Sequence, residues 1–395
     1  MENQPRTQAT LLETMGRIYQ KLGLYDDAEV QLQNALETRL DVLRNDHPEV
    51  AESFSDLGEL RYEQGRYDEA LVFARKALVL RIEEFGENHV SVAESLNNLA
   101  TVYHQRGDLD AADRLYRRAL ENRRQNLGDG HASSVRNLSN LAALVQQRGQ
   151  YEEAEDLLQE TLRIRRRELG DDHPDVARTR SNLAALLHRM GRREEAEDLY
   201  RQALEMQRRL LGDHPDLAVT ANNYGRLLQD LDRPNEAEPL LRHALEIQEQ
   251  RLGAHLERSF TMNILADLLH ARGDSDEAET FYRQALQIRR DRLPPGHLHI
   301  SSSLLRLGEL LLDRDQPEEA EPLLQEALQI RASTFPEDHW RRAEIQNPLA
   351  ATQLALGQSN ARDLLQLSYE ILRQELGPDH PRTRKAEKRN PTPGS

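Results

Sequence analysis

HVSVAESLNNLATVYHQRGDLDAADRLYRRALENRRQNLGDG, residues 89–130, holds one full period of the chain. Val92, Leu96, Leu99, Ala100 and Tyr103 fall at helical spacing. Gly107 interrupts that pattern, and Leu109, Ala112, Leu115, Tyr116, Ala119 and Leu120 start a second apolar face. The segment reads as a helical hairpin whose small residues, Ala100 and Ala112, let its two helices approach closely. One such hairpin cannot bury its apolar faces alone, so the units must stack.

The same beat runs through the whole chain. His47, His89, His131, His173, His214, His255, His297, His339 and His380 recur every 41 or 42 residues, placing nine of the 14 histidines in one phase. Gly16, Gly58, Ala100, Ala142, Ala184, Gly225, Ala266, Gly308 and Ala350 form a second ladder, each followed 11 or 12 residues later by an alanine. The turn glycine recurs as Gly23, Gly65, Gly149, Gly191, Gly273 and Gly357, with Asp232 and Asp315 in its place twice. The expectation is an all-α, right-handed superhelical solenoid of nine helix-turn-helix repeats spanning residues 4–381. The repeats fall at about 4–46, 47–88, 89–130, 131–172, 173–213, 214–254, 255–296, 297–338 and 339–381. Pro348 lies inside the first helix of the ninth repeat, where a kink or fray is expected.

The sequence of small residue, aromatic, turn glycine, Ala, aromatic and Ala, as in Ala100, Tyr103, Gly107, Ala112, Tyr116 and Ala119, resembles the tetratricopeptide repeat. The longer beat, with LGDDHPDVA and SLNNLA segments, is similar to the kinesin light chain variety. Arg61 and Gln353 depart from the pattern at the aromatic position, as do Thr161 and Ser368 at the last alanine. The resemblance implies a protein-interaction array. No heptad coiled coil precedes residue 5, which argues against a motor subunit. Similar arrays follow kinase domains in bacterial signalling proteins, and others accompany tubulin-like filaments. Regulation of a kinase-like protein, or an adaptor joining such a cytoskeleton to membrane, are therefore alternative readings. Four lysines against 48 arginines point to a bacterial coding bias.

Composition removes several other classes. Zero Cys excludes disulfides, thiolate catalysis and cysteine-bearing zinc sites. A net charge of −16 opposes nucleic-acid binding by the body of the chain. No signal peptide or spanning segment is visible, so the expected compartment is cytoplasmic. Walker, H-E-x-x-H and G-x-S-x-G motifs are absent, so no catalytic residue and no cofactor is expected. Equivalent histidines on successive repeats are separated by at least ~8–10 Å, too far to share one metal. They read as a loop device: Gly170 ends one helix, Asp172 and His173 form the turn, and Pro174 opens the next.

First helices of stacked hairpins line the concave surface. Two residues before the small anchor stand Asn98, Asn140, Asn182 and Asn223; four after it stand His104, Gln146, His188, Gln229 and His270. An Asn carboxamide can both donate to and accept from the backbone of an extended peptide. The resemblance implies that role for the four asparagines, while ordering of the stack is an equal alternative. The His/Gln ladder reads first as solvated groove lining. Arg136, Arg178, Arg189 and Arg226 add positive charge and favour an acidic peptide, against a more acidic start at Glu52, Glu59, Glu63 and Glu94.

The C-terminal repeats carry Phe260, Ile264, Leu305, Leu312 and Leu354 on that face. They form an apolar strip expected to take a partner or a second copy of the chain. The chain's own charged segment Thr383–Lys388 ranks last as its occupant. Residues 382–395 form a basic tail, partly disordered, read first as a polar cap. Attachment to an acidic protein or to anionic lipid through that tail is the alternative, the lipid being the one route to a membrane.

Overall fold

A computed structural model describes residues 4–252 and 256–390. Among them are nineteen α-helices and no strand. Consecutive pairs are α1 (Gln4–Lys21) with α2 (Tyr25–Val42), α3 (Pro48–Glu63) with α4 (Tyr67–Phe85), and α5 (Val90–Gln105) with α6 (Leu109–Leu127). Next come α7 (Val135–Gln147), entered by a 3-10 turn at Ala132–Ser134, with α8 (Tyr151–Leu169), and α9 (Pro174–Arg189) with α10 (Arg193–Leu211). Then follow α11 (Pro215–Asp230) with α12 (Pro234–Leu252), α13 (Leu256–Arg272) with α14 (Ser275–Arg292), and α15 (Leu298–Asp313) with α16 (Pro317–Ala332). The chain ends on α17 (Trp340–Ala355) with α18 (Ala361–Leu376), and α19 (Pro381–Arg389). The fold is the expected all-α solenoid of helix-turn-helix repeats. Its residues group into two compact units, 1–206 and 207–395.

Each hairpin closes on its small anchor. A Cβ on Gly308 would lie 2.7 Å from Leu324 Cγ, and one on Gly225 would lie 2.9 Å from Leu241 Cγ. Three of the five repeats with Ala at the anchor place a tyrosine opposite, Tyr116, Tyr200 and Tyr282, all buried; the other two place Leu158 and Leu365 there. The tyrosine hydroxyls need partners in that setting. Tyr116 donates to Thr101 Oγ1 at 3.0 Å, and Tyr282 to Asp267 Oδ1 at 2.6 Å. At the turns Asp232 and Asp315 hold φ of 56° and 59°, the left-handed conformation glycine takes in the other repeats. The helix α17 runs unbroken through Pro348, which is buried, so the expected fray is not seen.

A buried arginine joins successive repeats. Arg39 on α2 donates to Glu49 O (3.0 Å) and Ser53 Oγ (2.7 Å) on α3, and pairs with Glu13 on α1 at 2.9 Å. Arg81 reaches Ser95 Oγ at 2.7 Å, and Arg165 reaches Asp175 O (3.1 Å) and Thr179 Oγ1 (2.6 Å). Arg123 meets Asn137 Oδ1 at 3.3 Å. In the second unit Arg289 donates to His299 O and Ser303 Oγ, both at 2.8 Å. Gln207 and Gln248 fill the same buried rung. In the ninth repeat Ile345 stands in the acceptor position, and Arg331 turns to Glu344. Nothing in the spacing of these arginines distinguishes them from surface charge.

The terminal helix α19 packs on α17 and α18. Its Thr383 and Ala386 are buried, and Thr383 Oγ1 donates to Leu372 O at 3.2 Å. Lys385 and Arg389 both reach Glu309 on α15 at 2.9 Å. Their charge holds the Glu309 carboxyl below the ordinary carboxylate range despite its burial. Residues 391–395 of the expected tail, and His255, lie outside the described residues.

Two stability tests follow from this packing. Gly308→Ala overpacks Leu324 and is expected to cost about 1–3 kcal/mol. In Gly58→Ala the new Cβ finds its nearest atom at 3.5 Å, so that variant stays near parental stability in denaturant titration. Arg289→Ala strips hydrogen bonds to a charged donor and is expected to cost about 2–4 kcal/mol. Arg289→Gln, the solution used at Gln207 and Gln248, recovers part of that loss by the same measurement.

Candidate functional site

Among the described residues, eight of the phased histidines cap the helix that follows them. The Nδ1 atoms of His47, His89 and His131 each accept from the backbone N–H two residues on at 3.2 Å. His173, His214 and His297 do so at 3.1 Å, His339 at 3.0 Å and His380 at 3.2 Å. Imidazole here is an N-cap, doing what Ser or Asp does elsewhere. An accepting Nδ1 is an unprotonated one, so each ring is held with its proton on Nε2.

With the first helices so fixed, α3, α5 and α7 enclose a cleft of about 170 Å3 over α4. Asn98, Asn140 and Arg136 line it, together with Tyr62, Asn97 and Thr101. The two sequence-predicted asparagines and one arginine are thus brought together. They are also tied to each other. Asn140 Nδ2 donates to Asn97 Oδ1 at 3.4 Å, Arg136 Nη2 donates to Asn98 Oδ1 at 3.4 Å, and Arg136 lies 3.6 Å from Glu94. These contacts are long, and all the groups but the buried Asn97 are partly exposed, so they are weak enough to exchange for a ligand. A cavity of this size takes one large apolar side chain.

The remaining ladder residues sit elsewhere. Asn182, Arg178 and Arg189 are exposed on α9, with Arg178 paired to Asp175; His188 is half-buried there, and Gln146 is half-buried on α7. His104 bonds Gln147, not Gln146, at 2.8 Å. Asn223, Arg226, Gln229 and His270 belong to the second unit. There Gln229 Nε2 donates to Ile264 O at 3.0 Å, and His270 lies 3.3 Å from Asp313.

The expected apolar strip requires correction. Leu305 is 6% exposed and belongs to the core. Leu354 packs on Ala350, Ala361 and Leu365. Phe260 stands edge-on to His299 with Arg289 over its ring at 4.7 Å. Ile264 and Leu312 are half-buried. The strip is consumed internally because the positions it occupies face the neighbouring repeat there. The segment ranked last as an occupant, Thr383–Lys388, is the one that reaches this face. It does so through charge on Glu309, between Leu305 and Leu312, rather than through apolar surface.

Residues that the ladder reading missed are Tyr62, Asn97 and Thr101. Asn97 immediately precedes a ladder asparagine, and the doublet Asn97-Asn98 was the available signal. Among the described residues no cluster of three or more His, Asp or Glu is placed to hold a metal ion, and no helix is long and apolar enough to cross a membrane.

Burial and the neighbouring Arg382 lower the pKa of His380. Its cap is complete above the unfolded histidine value, about 6.5, and is lost as pH falls through the lowered folded value. Amide exchange at Arg382–Lys385, corrected for the intrinsic rate, is therefore expected to accelerate below that range. In His380→Asn, which caps without titrating, the acceleration disappears.

The tetratricopeptide repeat family model matches residues 7–83, 55–125, 133–209, 177–250, 216–291 and 257–333. No curated protein matches the sequence. Among solved structures, BtubC (BKLC) from P. vanneervenii is 26% identical, with a TM-score of 0.49, covering 58% of this chain and 94% of that one. The quorum sensor NprR from B. thuringiensis, in its apo form, is 16% identical with a TM-score of 0.63, covering 82% and 87%. A Rap protein complexed with Competence and Sporulation Factor is 14% identical with a TM-score of 0.56, covering 87% and 97%. The last two share the fold.

Proposed function

The chain belongs to the tetratricopeptide repeat family, and on that premise we propose that it is a non-enzymatic scaffold whose α3–α5–α7 cleft binds an extended segment of a partner protein. The observation that carries this reading is the convergence of Asn98, Asn140 and Arg136 on a cavity the size of one side chain. One apolar residue of the segment enters beside Tyr62. The two carboxamides meet its backbone, which makes binding tolerant of sequence. Arg136 exchanges its long contact with Glu94 for a carboxylate of the segment, which makes an acidic segment the better ligand. The Rap protein named above, which shares the fold, is complexed with Competence and Sporulation Factor, and a partner-binding use of the scaffold is consistent with that.

Selection from a displayed peptide library, followed by calorimetry on the enriched peptide, tests the proposal. Asn98→Ala with Asn140→Ala is expected to weaken binding about 5- to 150-fold, from hydrogen bonds of roughly 0.5–1.5 kcal/mol each. Arg136→Ala flattens the fall of affinity with salt. Lost thermal stability with unchanged affinity would assign the asparagines to the stack instead, and would overturn the cleft reading.

A further inference from the structure

Large apolar side chains left in solvent line up along α1 and on Leu22, the first residue past its end. Leu11, Met15, Ile18 and Leu22 are 61%, 44%, 52% and 66% exposed, and their spacing puts them in one stripe. Met15 and Ile18 hold positions that are core between repeats elsewhere: Leu57 and Leu60 on α3, and Leu99 and Val102 on α5, are buried. The face has the character of an interior surface without its cover.

Leu11 narrows what that cover is. Its position in other repeats is the acceptor for the buried arginine of the preceding one: Ser53, Ser95, Asn137, Thr179 and Ser303. A further repeat carrying that arginine, stacked on α1, would press a guanidinium onto Leu11, an uncompensated burial of charge. The ninth repeat, which also lacks the hydroxyl, supplies Glu344 beside the site; α1 has Thr10 there. The stripe itself is symmetric. Reversed about a point between Gly16 and Arg17, it sets Leu11 opposite Leu22 and Met15 opposite Ile18. The same reversal sets Lys21 opposite Leu12, Arg17 opposite Gly16 and Glu13 opposite Gln20, so no like charges meet.

We propose that this stripe is the seat of a second copy of the chain, with α1 pairing antiparallel to α1 about a two-fold axis. Such a contact is isologous and closed, which limits assembly to a dimer. Four side chains of roughly 60–120 Å2 each make a small interface, and the dimer dissociates on dilution.

Sedimentation velocity from about 1 to 100 μM, the range where so small an interface titrates, is expected to show a monomer–dimer equilibrium. Leu11→Asp with Ile18→Asp gives monomer throughout, with an unchanged thermal melt because both positions are exposed. The chain has no Cys. Met15→Cys with Ile18→Cys is therefore expected to form a disulfide-linked dimer under mild oxidation. A parent that stays monomeric across the range overturns the proposal. So does an aspartate variant that dimerises like the parent, or a cysteine variant that dimerises without cross-linking, which would place the contact elsewhere.

Discussion

An arginine on the second helix of one repeat, buried against the first helix of the next, is the contact on which the stack depends. Apolar surface alone would let two hairpins slide, since one leucine ridge resembles another. A guanidinium has fixed geometry and must satisfy its donors when buried. Arg39, Arg165 and Arg289 each find one backbone carbonyl and one hydroxyl on the following helix, which permits a single register. Arg123, Arg165 and Arg289 are held chiefly by neutral oxygens. Burial lowers the pKa of all three, that of Arg289 to about 10, yet each remains charged at neutral pH.

That register carries the histidine caps and the cleft with it. Once the first helix is capped by imidazole and clamped by arginine, residues two and three before the anchor project beside the first helix of the next repeat. In the first unit this sets Asn98 near Arg136 and Asn97 near Asn140. Equivalent positions differ in the second unit: Asn223 keeps the asparagine in the sixth repeat, Ile264 replaces it in the seventh, and in the eighth Arg306 holds the position and pairs with Asp267, while Glu309 takes two cations from α19. One face offers exchangeable amides; the other is closed by ion pairs.

The terminal helix shows how a repeat element can become a cap. His380-Pro381 begins α19 as His173-Pro174 begins α9, with the same imidazole contact. The helix buries Thr383 and Ala386 but presents charge almost everywhere else, so it seals an apolar face without creating a new one. Arg382 sets its guanidinium over the Trp340 ring and pairs with Glu344, tying α19 to α17 through one charged group. On α1 the corresponding interior positions carry Met15 and Ile18 with no such seal among the described residues.

Hairpin, beat and boundaries were legible in the sequence because they rest on local chemistry. A glycine breaks a helix, an anchor must be small, and a histidine before proline starts the next helix wherever it occurs. The family pattern was legible for the same reason. The arginine rungs were not, because a charged residue on an amphipathic helix reads as surface until a partner helix covers it. Nor was the fate of Leu305, whose burial depends on how closely α15 is packed by its neighbours. Asn98 and Asn182 are indistinguishable by spacing, yet one lines a cleft and the other is exposed. Spacing along one helix determines which side chains share a face; whether that face meets water, a cavity or another helix is decided by contacts between segments ~40 residues apart, which only the tertiary structure makes.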